Sequence, residues 1–257
     1  MTMQLPNIAK LKNYISINDL FALTIAIMLV GHTALFFVPD NLWLRIADRI
    51  FIPVLLISIG YNIGHKIGWS IYIGAALIMA GQIFVTYGPP INILAIFIAL
   101  KFFLDPFVKL ISRNKILFWG VNFVMAFVSP FVNLLFEYGT LAIIMATAGW
   151  INRNRDEVKT VTTILEYYIF SYFSFLWFTW IVFGFSSLQM LCIALGVGLV
   201  MYLLLDYKTL ILNSLKRKPK DVIEKICTFM ARKSLEIYVF HVLFYMLIVY
   251  IATHNLS

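Results

Sequence analysis

Nine apolar runs, 14 to 24 residues long and nearly free of charge, constrain this chain more than any other feature. They occupy residues 18–38, 49–64, 67–87, 91–104, 116–135, 138–151, 161–184, 187–205 and 234–252. A helix needs about 20 apolar residues to cross a hydrocarbon layer about 30 Å thick, and only helices or closed barrels satisfy their backbone in that layer. None of the runs alternates polar and apolar residues with the two-residue period of a barrel strand. The expected fold is therefore all-α: one polytopic membrane bundle over residues 1–257, with about nine (eight to ten) transmembrane helices. Composition agrees, since 62% of residues are hydrophobic and 12% charged, against about 45–50% and about 25% in soluble domains. That balance excludes a disordered chain, a disulfide scaffold and a nucleic-acid-binding domain. Cys192 and Cys227 have no paired spacing for a metal or redox site. The first run exceeds a secretory signal core and lacks a small-residue cleavage site, so it is read as a retained helix.

Basic residues set the orientation. With the N-terminus inside, the inner segments collect 18 of the 20 Lys and Arg residues and leave only Arg45 and Arg49 outside, as the positive-inside rule requires. The longest basic stretch lies in a cytoplasmic loop over 206–233 and reads as an anchor on anionic lipid.

Three runs are short. Residues 91–104 and 138–151 would give about 21 Å of helix and residues 49–64 about 24 Å, less than the apolar layer. Each must be tilted, prolonged by polar residues, or joined to irregular backbone, which is tolerated at that depth only beside protein or a water-filled cavity. All three run from outside to inside. Their outer ends carry Arg49, Asn92 and Glu137-Tyr138-Gly139, so polar groups are expected to converge in the outer part of the bundle.

His32 lies about 21 Å above the inner edge of the first run, at the level of those ends. An ionisable side chain at such depth is costly unless paired or facing a cavity, and imidazole is the natural general base near neutral pH. Arg45, Asp48 and Arg49 share a helical face, so an ion pair can neutralise one arginine and leave the other for an anion. Pro53 frees a backbone carbonyl nearby. His241, about 10 Å into the last run, is expected about 10 Å below His32 and out of its reach. Asn122, Ser129 and Asn133 are expected to hydrogen-bond between helices. There is no phosphate-binding glycine loop, histidine pair at metal-ligand spacing, or Gly-x-Ser-x-Gly elbow, which disfavours an ATPase or a zinc protease.

Taken in order, Gly31-His32, Leu35-Phe36, Arg49-Ile50-Phe51-Ile52-Pro53, Gly60-Tyr61-Asn62, Asn92-Ile93-Leu94, Glu137-Tyr138-Gly139 and Tyr238-Val239-Phe240-His241 resemble the TraX family of membrane acetyltransferases. The resemblance spans most of the chain, through short motifs separated by variable apolar helices. It implies transfer of an acetyl group from cytosolic acetyl-CoA, without a metal, to the N-terminus of conjugative pilin across a bacterial inner membrane. Other readings are O-acetylation of an envelope glycan, a transporter, or a non-catalytic pilus-assembly component. The resemblance implies His32 and Arg49 as catalytic, with Asn62, Asn92, Glu137, Tyr138 and His241 at the acceptor. Lys66, Lys101, Arg113, Lys115 and Arg153 would meet the phosphates of acetyl-CoA at the inner face. The family has Asp-His where this chain has Gly31-His32, so the imidazole needs another acceptor, for which Glu137 and Asp48 are the candidates.

Overall fold

The computed structural model describes residues 15–64, 68–85, 91–216 and 221–254, which form an all-helical bundle. In chain order the helices are α1 (Ile17–Phe37), α2 (Leu42–Tyr61), α3 (Trp69–Val85), α4 (Ile93–Ile111), α5 (Lys115–Val132), α6 (Leu141–Arg153), α7 (Arg155–Val158), α8 (Ile164–Phe183), α9 (Ser187–Leu204), α10 (Tyr207–Lys216), α11 (Val222–Arg232) and α12 (Ser234–His254). Each of the nine apolar runs overlaps one helix of 13 to 21 residues. Four of these, α1, α5, α9 and α12, are long and apolar enough to cross a membrane.

Helix α2 is the axis, packed against α1, α6 and α9. It lies parallel to α6, with Arg49 meeting Tyr138 at one end and Tyr61 meeting Arg153 at the other. The pair can approach closely because glycine sits at the crossing. A Cβ at Gly60 would collide with the Ala146 carbonyl, and one at Gly149 with the Ile57 carbonyl. Small residues that let backbones touch are the usual means of helix association where lipid removes the hydrophobic drive. Helices α1 and α2 are antiparallel, and Gly31 faces Asp48 across them. Gly74 lies against Val239 and Gly81 against Met246, so α3 and α12 run parallel.

The short apolar runs resolve in three ways. The run at 49–64 is extended backward into α2 by the polar turn that begins at Leu42, capped by Asn41. The run at 91–104 is prolonged inward to Ile111, past Lys101, Asp105 and Lys109; Asp105 is held by Lys109 at 3.0 Å and by the Trp150 indole at 2.9 Å. Helix α6 has 13 residues and stays short. It is joined to irregular backbone at 133–140, where Ile91 and Phe136 form an isolated parallel bridge. Asn92 donates to the carbonyl of Ala75, in the first half of α3, so α4 starts well below the outer end of α3. Two irregular stretches therefore pair inside the bundle and satisfy each other's backbone.

Of the residues expected to bond between helices, Asn122 accepts from Tyr167 of α8 at 2.5 Å. Ser129 instead donates within α5 to Ala126, and Asn133 accepts from the Tyr138 amide across the turn.

Candidate functional site

The irregular turn before α6 organises the outer site. Tyr138 has φ 64° and Gly139 φ 50°, two consecutive left-handed residues that reverse the chain in minimal space. At Gly139 a Cβ would lie 2.6 Å from the Ser129 carbonyl, so only glycine fits. A left-handed tyrosine is strained, and such strain persists where surrounding structure enforces it. Here the Asn133 side chain accepts from its amide, its ring stacks on Phe178, and its hydroxyl accepts a hydrogen bond from Arg49. Because the phenol oxygen accepts from a cation, its own proton remains to be donated.

Arg49 and Asp48 are both buried and pair at 3.6 Å. The Arg49 guanidinium also lies 4.1 Å from the centre of the Phe183 ring, with Arg45 over the same ring at 5.5 Å. Asp48 thus holds Arg49, and Arg45 lies over the aromatic wall. Helix α4 begins in this cluster. The Asn92 side chain accepts from the Leu94 and Ala95 amides at 3.0 and 3.1 Å, and Glu137 accepts from the Ile93 amide at 2.8 Å. With its amide also donating to Ala75, Asn92 serves as a buried helix cap.

The histidines correct an expectation. His32 Nδ1 and His241 Nε2 are 2.6 Å apart, and their rings stack at 4.9 Å. The level of α12 explains it. Helix α11 packs along α1, so α12 starts part-way up the bundle rather than at its inner edge. Ser234, the first residue of α12, lines the same small cavity as Ile25 of α1. Both histidines lie seven residues beyond these levels. The hydrogen bonds then fix the tautomers of a neutral pair. His241 Nδ1 lies 2.8 Å from the Ile237 carbonyl and must donate, so His241 Nε2 accepts from His32 Nδ1–H. The lone pair of His32 is left on Nε2. The side chain that accepts from the His32 imidazole is therefore His241, not Glu137 or Asp48. Asp48 fills the volume beside Gly31 instead: a Cβ at Gly31 would lie 2.6 Å from both the Asp48 Cβ and Oδ2.

His32, Arg45, Arg49, Asn92, Glu137 and Tyr138 line one outer cavity of about 350 Å³. Gln82, Asn133 and Tyr238 line it too and were not among the expected site residues. The Asn133 and Tyr238 positions carried a signal, adjoining the Glu137 and His241 motifs, whereas nothing in the sequence distinguished Gln82. His241 stands behind His32 rather than on the cavity wall.

Below this cavity is a neck of about 40 Å³ that shares His32, Arg49, Glu137, Tyr138 and Tyr238 with it and is otherwise walled largely by Ile25, Met28, Ile52, Leu55, Leu94 and Phe97. Leu55, Phe97, Ser234 and Leu235 also border a third, inner cavity of about 230 Å³ that reaches Asn62 and Lys101. The three form a file down the bundle. Asn62 is 13 residues beyond Arg49 on α2 and its cap, about 20 Å at the helical rise, so it belongs to the inner cavity and not to the acceptor site. Its side chain donates to Tyr207 at 3.3 Å.

The inner cations divide. Lys101 donates to the Asn62 carbonyl and Arg153 to the Tyr61 carbonyl at 3.1 Å, so both close the C-terminal end of α2, where cations are favoured. Arg113 and Lys115 are exposed at the α4–α5 turn and line none of the three cavities, which corrects their expected place. That turn lies beyond the inner end of α4, ten residues or more from Lys101. Lys66 lies outside the described residues. Comparison with protein-family models, curated proteins and solved structures found no match to the chain.

Proposed function

We propose that this chain is an integral membrane acyltransferase of about nine transmembrane helices, N-terminus inside, that carries an acetyl group from acetyl-CoA at the inner face to an acceptor in the outer cavity. One observation carries the reading: a file of cavities that share lining residues runs from Lys101 to a histidine whose lone pair is directed to Nε2 by its partner. A phosphorylated nucleotide is held near Lys101 and Arg153, and the pantetheine arm passes the apolar neck. The thioester then reaches the level of His32.

His32 Nε2 takes the proton from the acceptor amine or hydroxyl as its nitrogen or oxygen attacks the thioester carbonyl carbon. The new carbon–nitrogen or carbon–oxygen bond leaves a tetrahedral oxyanion, which Arg49 and the Tyr138 O–H stabilise. Collapse breaks the carbon–sulfur bond, and the His32 imidazolium returns its proton to the departing thiolate. His241 keeps Nδ1–H of His32 engaged throughout and so holds the ring in the useful tautomer, the part a carboxylate plays in a catalytic triad.

By the resemblance to the TraX family the acceptor is a pilin N-terminus, in a bacterial inner membrane; an envelope glycan hydroxyl is the alternative. The same cavity file also suits a transporter. Reconstituted liposomes given labelled acetyl-CoA on the inner face, with peptide and sugar acceptors outside, separate these readings. Labelled acceptor supports the acyltransferase, and acceptor identity follows from which product forms. Solute flux without labelled product supports transport instead.

A further inference from the structure

Helix α11 presents its apolar stripe away from the protein. Val222, Ile223, Ile226 and Phe229 are 69%, 72%, 51% and 60% exposed, and none of the helix's residues is buried although it packs along α1. At 100° per residue Val222, Ile226 and Phe229 fall within a narrow arc, and the half-buried Glu224, Cys227, Thr228 and Ala231 lie opposite. The bundle therefore contacts the small and polar face of α11 and Met230 at the edge of the arc, while Val222, Ile223, Ile226 and Phe229 stay exposed. Lys225 and Arg232 flank the apolar arc on one side, and Lys233 follows it. Arg217, Lys218 and Lys220 precede the helix in sequence. The acids nearby are committed locally, Asp221 as the N-cap of α11 and Glu236 to Lys233 at 3.0 Å; Glu224 lies on the inward face.

We infer that α11 is seated obliquely in the inner leaflet, with its apolar stripe among acyl chains, Lys225 near its lower end on anionic headgroups and Arg232 snorkelling toward them. An apolar arc bordered by cations is the pattern of helices that lie in a membrane interface. Charge selects the lipid: each cation near an anionic leaflet favours the seated state about fivefold. The seat matters for the inner cavity, because Ala231 at the end of α11 and Ser234 just beyond it form part of that cavity's wall. Lipid, together with the packing of α11 on α1, thus holds one side of the inner mouth in place.

The test does not depend on catalysis. Both native cysteines are replaced by serine, and an environment-sensitive fluorophore is attached to cysteine introduced by Ile226→Cys or Phe229→Cys, or at Thr228→Cys as the inward control. The full chain is reconstituted in neutral phosphatidylcholine or in vesicles containing phosphatidylglycerol. Quenching by brominated acyl chains at 226 and 229 but not at 228, stronger in anionic vesicles, is expected. Lys225→Gln or Arg232→Gln should lower the ratio of lipid to aqueous quenching about fivefold each. Equal aqueous quenching at all three positions overturns the proposal. Equal lipid quenching in neutral and anionic vesicles overturns its electrostatic part. Absence of acetyl transfer by the unsubstituted chain, with the expected quenching pattern in the labelled variants, would refute the functional reading and leave this one standing.

Discussion

Gly31 and Asp48 share one volume, and exchanging their occupancy tests the packing around the site. The Gly31→Ala methyl would lie 2.6 Å from the Asp48 Cβ and Oδ2, well inside van der Waals contact. Both helices are fixed here, α1 by its packing on α2 and α2 by its close approach to α6, so the clash falls on the Asp48 side chain and the Arg49 pair it makes at 3.6 Å. Overpacking a rigid interior costs about 1–3 kcal/mol, or about 2–12 °C in Tm for a chain of this size. Gly31→Asp places a second carboxylate in the same space and should cost more. Asp48→Gly alone vacates the volume and leaves the buried Arg49 without its acid. Combining Gly31→Asp with Asp48→Gly should recover stability, with a coupling of about 0.5–3 kcal/mol between the positions. Thermal unfolding in detergent, followed by tryptophan fluorescence, measures all four proteins. Undiminished Tm in Gly31→Ala, or a double variant no better than Gly31→Asp, would refute the shared-volume argument.

Three further outcomes follow from the geometry. His241→Ala should lower acetyl transfer about 10–100-fold by freeing the His32 ring, His241→Gln should retain more, and the double variant with His32→Ala should be no worse than His32→Ala alone, because the pair acts as a unit; multiplicative losses in transfer assays would contradict the dyad. Asn92→Ala should destabilise by about 0.5–2 kcal/mol through loss of the α4 cap while donor affinity in titrations stays unchanged; selective loss of donor binding would show that Asn92 is more than a cap. Leu55→Trp, which fills the neck, should abolish transfer from internal acetyl-CoA with the protein still monodisperse on size-exclusion chromatography, whereas full activity would mean that the donor takes another route.

Much of the fold was legible because apolar length and charge asymmetry are local properties of the sequence. Each of the nine runs overlaps a helix, four of them long and apolar enough to span a membrane, and the shortness of 91–104 and 138–151 pointed to polar ends that the structure gathers around one cavity. The use of Lys101 of α4 and Arg153 of α6 to cover the carbonyls at the C-terminal end of α2 was not legible, because it depends on which helices adjoin that end. The level of α12 was not legible, because it depends on α11 climbing α1, a tertiary contact between segments about two hundred residues apart. Counting rise from the start of each apolar run therefore separated His32 from His241 by about 10 Å. Gln82 was hidden for a related reason: a single amide on an apolar helix gains meaning only from the helix beside it. The roles of Asn92 and Asn62 were likewise set by their neighbours, since one caps α4 and the other lies at the far end of the cavity file.

The most direct measurement is acetyl transfer by His32→Ala in proteoliposomes, with acetyl-CoA binding titrated on the same preparation. Loss of transfer by about 10²–10⁴-fold, with donor affinity intact and His254→Ala fully active, is the predicted result. Unchanged transfer by His32→Ala would contradict the account, because the ring that His241 orients would then have no part in moving the proton.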